Sequence, residues 1–337
     1  MRDTTIIKDI ELQPYISSDD LAGKAKALLA QQKGSWELLS KGYKSLESIE
    51  VKNFEFEHFK IKVQFNPGRI VSSSAKVDPK SIKERKCFLC PDNLPGDQKG
   101  ILYKDDYILL CNPFPIFNEH FTIPKTGHVP QEIKSSLPAM LELSRDLSRY
   151  YTVFYNGPKC GASAPDHLHF QAGDKGFMPI DSEYCGIRES LGRKIISCND
   201  LQVFAIDRYL GKFFSFESSD SEAIVKAFNS FYNIFSATSP NTGEEPMMNI
   251  LSFYEDAKWH VLVFPRAKHR PSYFFMEGDD NILLSPASVD MGGVLITPLE
   301  KDFNKITREN IVDIFRQVTL QDETFGTIAE KLARLYS

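Results

Sequence analysis

The sequence predicts an α+β fold built from two tandem, related halves with antiparallel sheets and flanking helices. Three observations carry the prediction. Strand-like and helix-like segments come in separate runs, not in strict alternation. Several strand-like runs alternate apolar and polar residues, as sheets with one wet face do. The segments 120–128, HFTIPKTGH, and 260–269, HVLVFPRAKH, also share one order: histidine, apolar strand, proline, basic residue, histidine, with four positions from proline to histidine in each. That order reads as a diverged internal repeat. The pattern returns after residue 195, which divides the chain into halves at 1–195 and 196–337.

The elements follow in order. Residues 18–49 read as helix, with Leu21, Ala25, Leu28 and Leu29 at helical spacing and Asp19 or Asp20 as cap. In VKNFEFEHFKIKVQFNP, Phe54, Phe56, Phe59, Ile61, Val63 and Phe65 mostly alternate with charged residues, so strands are expected. NPGRIVSSSAKVDPKSIKERK, residues 66–86, is a polar connector, and CFLCPDNLPGDQKG is a knuckle with a turn-rich loop. Strands are expected near 107–111 and 119–124, a helix over 131–150 bearing Leu137, Met140, Leu141 and Leu147, and a strand at YTVFYNG. A strand over 167–171, a helix over 220–238 and two strands within MMNILSFYEDAKWHVLVFPRAKHRP complete the pattern. Gly292 and Gly293 in SPASVDMGGVLITP read as a tight bend into a strand, with a place beside the ligand site as the other reading.

Composition sets outer bounds. With 337 residues, 42% apolar and 25% charged, the chain is long enough for a sizeable core. A net charge of −5 argues against a general nucleic-acid or membrane-surface binder, so an anionic ligand needs a local site. The first twenty residues show no apolar signal core, and runs such as YILL are too short to span a bilayer, so a cytoplasmic protein is expected. Six cysteines do not make a disulfide scaffold; Cys111, Cys160, Cys185 and Cys198 are scattered and expected as small core residues.

The chemistry concentrates in FYNGPKCGASAPDHLHFQAG, residues 154–173. On a strand over 167–171, His167, His169 and Gln171 share one face at intervals of about 6.5–7 Å, while Leu168 and Phe170 enter the core. Just before them, Gly157, Gly161, Ala162 and Ser163 form a small-residue loop whose amides can approach an anion closely. A phosphate cradle beside a histidine suggests a phosphoryl or nucleotidyl site. Imidazole is largely unprotonated near neutrality and can form a covalent phosphoramidate, provided one ring nitrogen is held and the other free. Gln171 can donate to a phosphoryl oxygen, a contact worth about 3–4 kcal/mol in a transition state. It cannot protonate a leaving group or readily activate water. It therefore favours transfer between anionic phosphate leaving groups over hydrolysis. The plainer alternative is a solvated face carrying two histidines.

Cys87-x-x-Cys90 is half a zinc site, with a redox pair or two buried thiols as the alternatives. No second Cys-x-x-Cys exists, so histidines must complete it, and His128 and His167 are the natural candidates. Structural zinc at 87, 90, 128 and 167 would anchor the strand that carries His169.

The stretches NPGRIVSSSAKVDPKSIKERKCFLCPDN and YNGPKCGASAPDHLHFQ resemble the histidine-triad superfamily, in the branch of the galactose-1-phosphate uridylyltransferases, diadenosine tetraphosphate phosphorylases and GDP-hexose phosphorylases. That branch carries His-x-His-x-Gln where hydrolases carry a third histidine. The likeness is specific over about 60–174 and only architectural after 200. It implies two histidine-triad-like halves, with His169 as the nucleophile that becomes nucleotidylated and Gln171 on the α-phosphate. It implies zinc on Cys87, Cys90, His128 and His167. It places Asn112 at the ribose, and Asn156, Gly161, Ser163 and Arg69 near the phosphates. The implied substrates are a nucleoside-diphosphate sugar or dinucleoside polyphosphate, with phosphate or a sugar phosphate as acceptor. A nucleotide-binding protein without turnover and a hydrolase are the alternatives. IPKTGH is one residue longer than the usual form, which weakens His128 and makes His120 the fallback ligand. SAPDHLH is likewise longer, with Asp166 before the pair. In the second half, His260 and His269 read as relics of duplication, and Arg266 and Lys268 as phosphate contacts or a solvated edge.

Overall fold

In the computed structural model, which describes residues 5–70, 78–239 and 243–337, ten strands make one continuous sheet. The first half supplies β3 (Gly100–Tyr103), β4 (Tyr107–Cys111), β5 (His120–Pro124), β6 (Tyr151–Asn156) and β7 (His169–Asp174). β8 (Gly192–Cys198) runs across the boundary read at 195/196, and the second half supplies β9 (Leu201–Ile206), β10 (Phe213–Ser218), β11 (Met248–Glu255) and β12 (Lys258–Pro265). Their order is β3-β4-β5-β7-β6-β11-β12-β10-β9-β8, and every neighbouring pair is antiparallel. The α+β class and the two-part architecture read from the sequence are therefore present. The parts meet where β6 pairs β11, with Asn156 opposite Asn249. A second sheet joins distant segments: the hairpin β1 (Glu50–Glu55) and β2 (Lys60–Phe65) adds β13 (Val294–Thr297) in parallel, with Val63 opposite Leu295.

The large sheet is covered on both faces. One face buries Leu168, Phe170, Val153, Tyr155, Val261 and Val263 against helices Leu21–Ser35, Leu137–Asp146, Ser221–Thr238 and Asp322–Arg334. The other buries Phe154, Leu251, Leu262 and Phe264 against the small sheet and helices Pro179–Leu191 and Arg308–Val318. This double cover explains why β10, β11 and β12 are buried at nearly every position. No described helix is long and apolar enough to cross a membrane.

Several expectations shift in detail. The helix expected over 18–49 breaks at Trp36, whose extended backbone sends its buried ring into the core between Leu21–Ser35 and Glu37–Lys44. Asp20 is the cap, accepting from the Gly23 amide at 2.7 Å. The helix expected from 131 starts at Leu137, where Pro138 in the first turn needs no amide partner. Residue 131 is thereby released for the site below. Cys185 and Cys198 are exposed, not core; only Cys111 and Cys160 of the scattered four are buried. The bend at Gly293 leads into β13 as expected, with φ of +101°. The polar connector of 66–86 lies partly outside the described residues.

Candidate active site and metal centre

β7 begins at His169, so His167 lies just ahead of the strand, not on it as the alternation suggested. The chain diverges there because His167 is held elsewhere. Its Nε2 donates to the Lys125 carbonyl at 2.7 Å, which leaves Nδ1 free to face Cys87 Sγ at 3.2 Å and Cys90 Sγ at 3.6 Å. His128 Nδ1 stands 3.1 Å from Cys90 Sγ. The donor atoms of Cys87, Cys90, His128 and His167 all lie within 4.8 Å of one another. A tetrahedral ion with bonds of about 2.1 Å to nitrogen and about 2.3 Å to sulfur spans edges of roughly 3.4–3.8 Å, so this donor set could hold such an ion. The inserted residue in IPKTGH does not remove His128 from the group. Asp166, the other departure, has its carboxylate 3.8 Å from His128 Nε2 and is itself bound by Arg85 at 2.7 Å. Such outer contacts orient ligand histidines.

His169 is buried, at 3% exposure. Its Nδ1 lies 2.8 Å from the His167 carbonyl, so the proton belongs on Nδ1 and the lone pair on Nε2. Burial pushes its pKa down to about 4, against the pull of the His167 carbonyl contact, so the ring is neutral at pH 7. Gln131 clamps the local backbone: its Oε1 accepts from the His169 amide at 2.8 Å, and its Nε2 donates to the carbonyls of His169 at 3.1 Å and Asn156 at 2.9 Å. No motif marked Gln131; it sits in a segment read as helix.

Gln171, two residues along the same face, is oriented by His120. The Ile116 amide donates to His120 Nδ1 at 3.3 Å, so the His120 proton sits on Nε2, which faces Gln171 Oε1 at 3.1 Å. The Gln171 amide nitrogen is thereby turned away from His120, free to donate. Burial and nearby Arg69 push His120 down to about 3, which keeps it in this neutral tautomer. His120, the fallback metal ligand of the sequence reading, thus contacts the glutamine and not the thiols. Replacing His120 with phenylalanine keeps the ring and removes the donor. If His169 is the nucleotidylated residue, the rate of labelling by nucleotide should fall by about a hundredfold, the scale of one lost transition-state donor. Single-turnover labelling checks it.

The loop after β6 is tightly built. Gly161 has φ of +110°, and a Cβ there would lie 2.5 Å from that of Ala287, so glycine is required on both counts. Ala287 and Ser288 belong to the segment before the Gly292–Gly293 bend, which therefore does pack beside this loop. Asn156 accepts at Oδ1 from Asn249 Nδ2 at 3.0 Å and from the Ser288 amide at 2.8 Å. Ser163 is half-buried, and its carbonyl meets Arg85 at 3.5 Å. Arg69 donates through Nη1 to the Phe114 carbonyl at 2.6 Å, and its buried Nε has no partner among the described residues. Burial lowers its pKa to about 10, against the pull of Asp290, so it stays charged at neutral pH. Asn112, expected at a ribose, uses both ends of its side chain internally, accepting from the Phe114 amide in its own turn at 2.9 Å and donating to Thr122 Oγ1 on β5 at 3.1 Å.

Comparison with known proteins places this geometry. The structure aligns with yeast Ap4A phosphorylase Apa2 in complex with AMP at a TM-score of 0.55 and 18% identity, covering 87% of this chain and 96% of that one. Apa2 in complex with Ap4A aligns at 0.53 and 17%, covering 84% and 96%. By fold, the chain is similar to Ap4A phosphorylase. Residues 190–337 match the family model described as the GDPGP1-like C-terminal domain, and residues 28–174 match a domain of unknown function, DUF4922. No curated protein matches the sequence. The fold that the His-x-His-x-Gln resemblance implied is thus shared with Apa2.

Proposed function

We propose that the protein is a nucleotidyltransferase or phosphorylase acting on a nucleoside-diphosphate sugar or dinucleoside polyphosphate, with His169 as nucleophile. One observation carries the reading: a buried, neutral imidazole whose Nδ1 proton is committed to a carbonyl, so that Nε2 is the reacting nitrogen. In the first half-reaction, Nε2 attacks the α-phosphorus, a P–N bond forms and the P–O bond to the leaving phosphate group breaks, its electron pair departing with the leaving oxygen. In the second, an oxygen of phosphate or a sugar phosphate attacks the same phosphorus, and the P–N electron pair returns to Nε2. No net proton transfer to the leaving group is needed when that group departs as a phosphate anion, which suits a glutamine at 171.

The other residues divide the work. Gln171 donates to the phosphoryl oxygen as charge builds there. Arg69, charged and with a buried Nε lacking a partner, supplies positive charge for the phosphates. Asn156, Gly161 and Ser163 line them. Cys87, Cys90, His128 and His167 would hold a structural zinc ion, which would tie the knuckle to the start of β7 and so help to place His169. Apa2 structures hold AMP and Ap4A, which supports a nucleotide or dinucleotide as the substrate class. The test is incubation with ADP-, GDP- and UDP-sugars and dinucleoside polyphosphates, with and without phosphate. Phosphate-dependent nucleotide release and an acid-labile, alkali-stable adduct on His169 are expected. Nucleoside monophosphate released without phosphate would indicate a hydrolase, and binding without product a nucleotide sensor.

A further inference from the structure

Arg266 is neither a phosphate contact nor part of a solvated edge. It is 2% exposed and has no carboxylate partner among the described residues. Its acceptors are all neutral: Asn249 Oδ1 at 2.5 Å, and the carbonyls of Pro286 at 2.8 Å and of Val318, Lys268 and His269 at 3.2 Å. The buried Asp290 carboxylate acts on this charge from beyond ion-pair distance, so the guanidinium's direct contacts are all with amide and carbonyl dipoles.

The contact with Asn249 has a consequence for the site. Because Oδ1 of Asn249 takes the guanidinium, its Nδ2 must point the other way, and it donates to Asn156 Oδ1 at 3.0 Å and to the Cys160 carbonyl at 2.7 Å. Asn156 Oδ1 also accepts from the Ser288 amide at 2.8 Å and lies 2.6 Å from Ser288 Oγ. With its oxygen so occupied, Asn156 has its Nδ2 turned away from them, and that nitrogen has no partner among the described residues. Two amide dipoles thus stand head to tail between a buried cation and the loop beside His169, each polarising the next. Arg266, Asn249 and Ser288 all come from the second half of the chain.

We propose that Arg266 and Asn249 are positioning residues that fix the Asn156 amide with its N–H groups toward the substrate's phosphoryl oxygens. This rests on the nucleotidyl reading of the site and gives the diverged half a part in it. Asn249→Asp keeps the shape, converts the Arg266 contact into an ion pair and replaces the donor facing Asn156 with an acceptor. Calorimetric titration with inorganic pyrophosphate should show affinity falling by about tenfold or more. In an Asn156→Ala background the same change should have little further effect, whereas a merely structural role gives the same loss in both backgrounds. Ser288→Ala, which removes one contact to the same oxygen, should weaken binding in the same direction and carries the cycle if Asn249→Asp does not fold. Wild-type affinity in the Asn249→Asp protein, an undiminished effect without Asn156, or no pyrophosphate binding by the wild type would overturn the proposal. Failure of every nucleotide to label His169 would instead overturn the nucleotidyl reading, because pyrophosphate binding is read without turnover.

Discussion

Replacing His169 with alanine is expected to abolish both turnover and labelling by a nucleotide substrate. On the proposed route the substitution removes the nitrogen that forms the P–N bond, so no partial rate survives through the covalent route. Gln171→Ala is expected to behave differently. It leaves the nucleophile and removes one donor to the developing charge, so labelling should slow by about 10²–10³-fold, equivalent to about 3–4 kcal/mol, and still go to completion. Labelling followed by mass spectrometry of the modified peptide separates the two outcomes. Undiminished labelling in the His169→Ala protein would exclude it as the nucleophile. Equal and total loss in both variants would mean that Gln171 does more than stabilise charge.

The second large effect concerns the metal. One zinc per chain is expected by elemental analysis of protein purified without chelator. Its removal should lower stability by several kcal/mol, given that structural zinc binding contributes about 10–16 kcal/mol in zinc-finger peptides. Cys90→Ser should give the same destabilisation without chelator. The binding should also depend on pH in a definite direction. Burial raises the Cys87 thiol, but the His167 contact and nearby amides outweigh it and bring the pKa down to about 6. Burial and the neighbouring Cys87 push Cys90 up to about 11. At neutral pH the metal-free site therefore holds one thiolate and one thiol, and binding must expel the Cys90 proton. Apparent zinc affinity should rise as pH rises from 7 toward 9, with proton release visible to an indicator dye in weak buffer. Affinity that is flat over that range would show that both thiols are already ionised.

Much of this site is legible before any coordinates. Two-residue alternation along HLHFQ is a local property of extended chain, and it places His169 and Gln171 on one face with Phe170 on the other. The spacing of Cys87 and Cys90 is equally local. The same alternation misplaces His167, because a side chain drawn to two thiols and the Lys125 carbonyl pulls the backbone out of register just before β7. The helix read over 131–150 conceals Gln131 for a comparable reason: its contacts are with residues 25 and 38 positions away.

The sequence by itself determined the α+β class, the two-part plan, the nucleophile candidate and the thiol pair, because each is written in short-range spacing. Only the tertiary structure decided which histidine joins the thiols and which meets Gln171, His128 and His120 respectively. It alone decided that β2 pairs β13 across more than two hundred residues, and that Arg266 reaches the site through two amides. Those outcomes depend on which way an amide or imidazole is turned. That orientation is set by partners brought together from distant parts of the chain, and no local period records it.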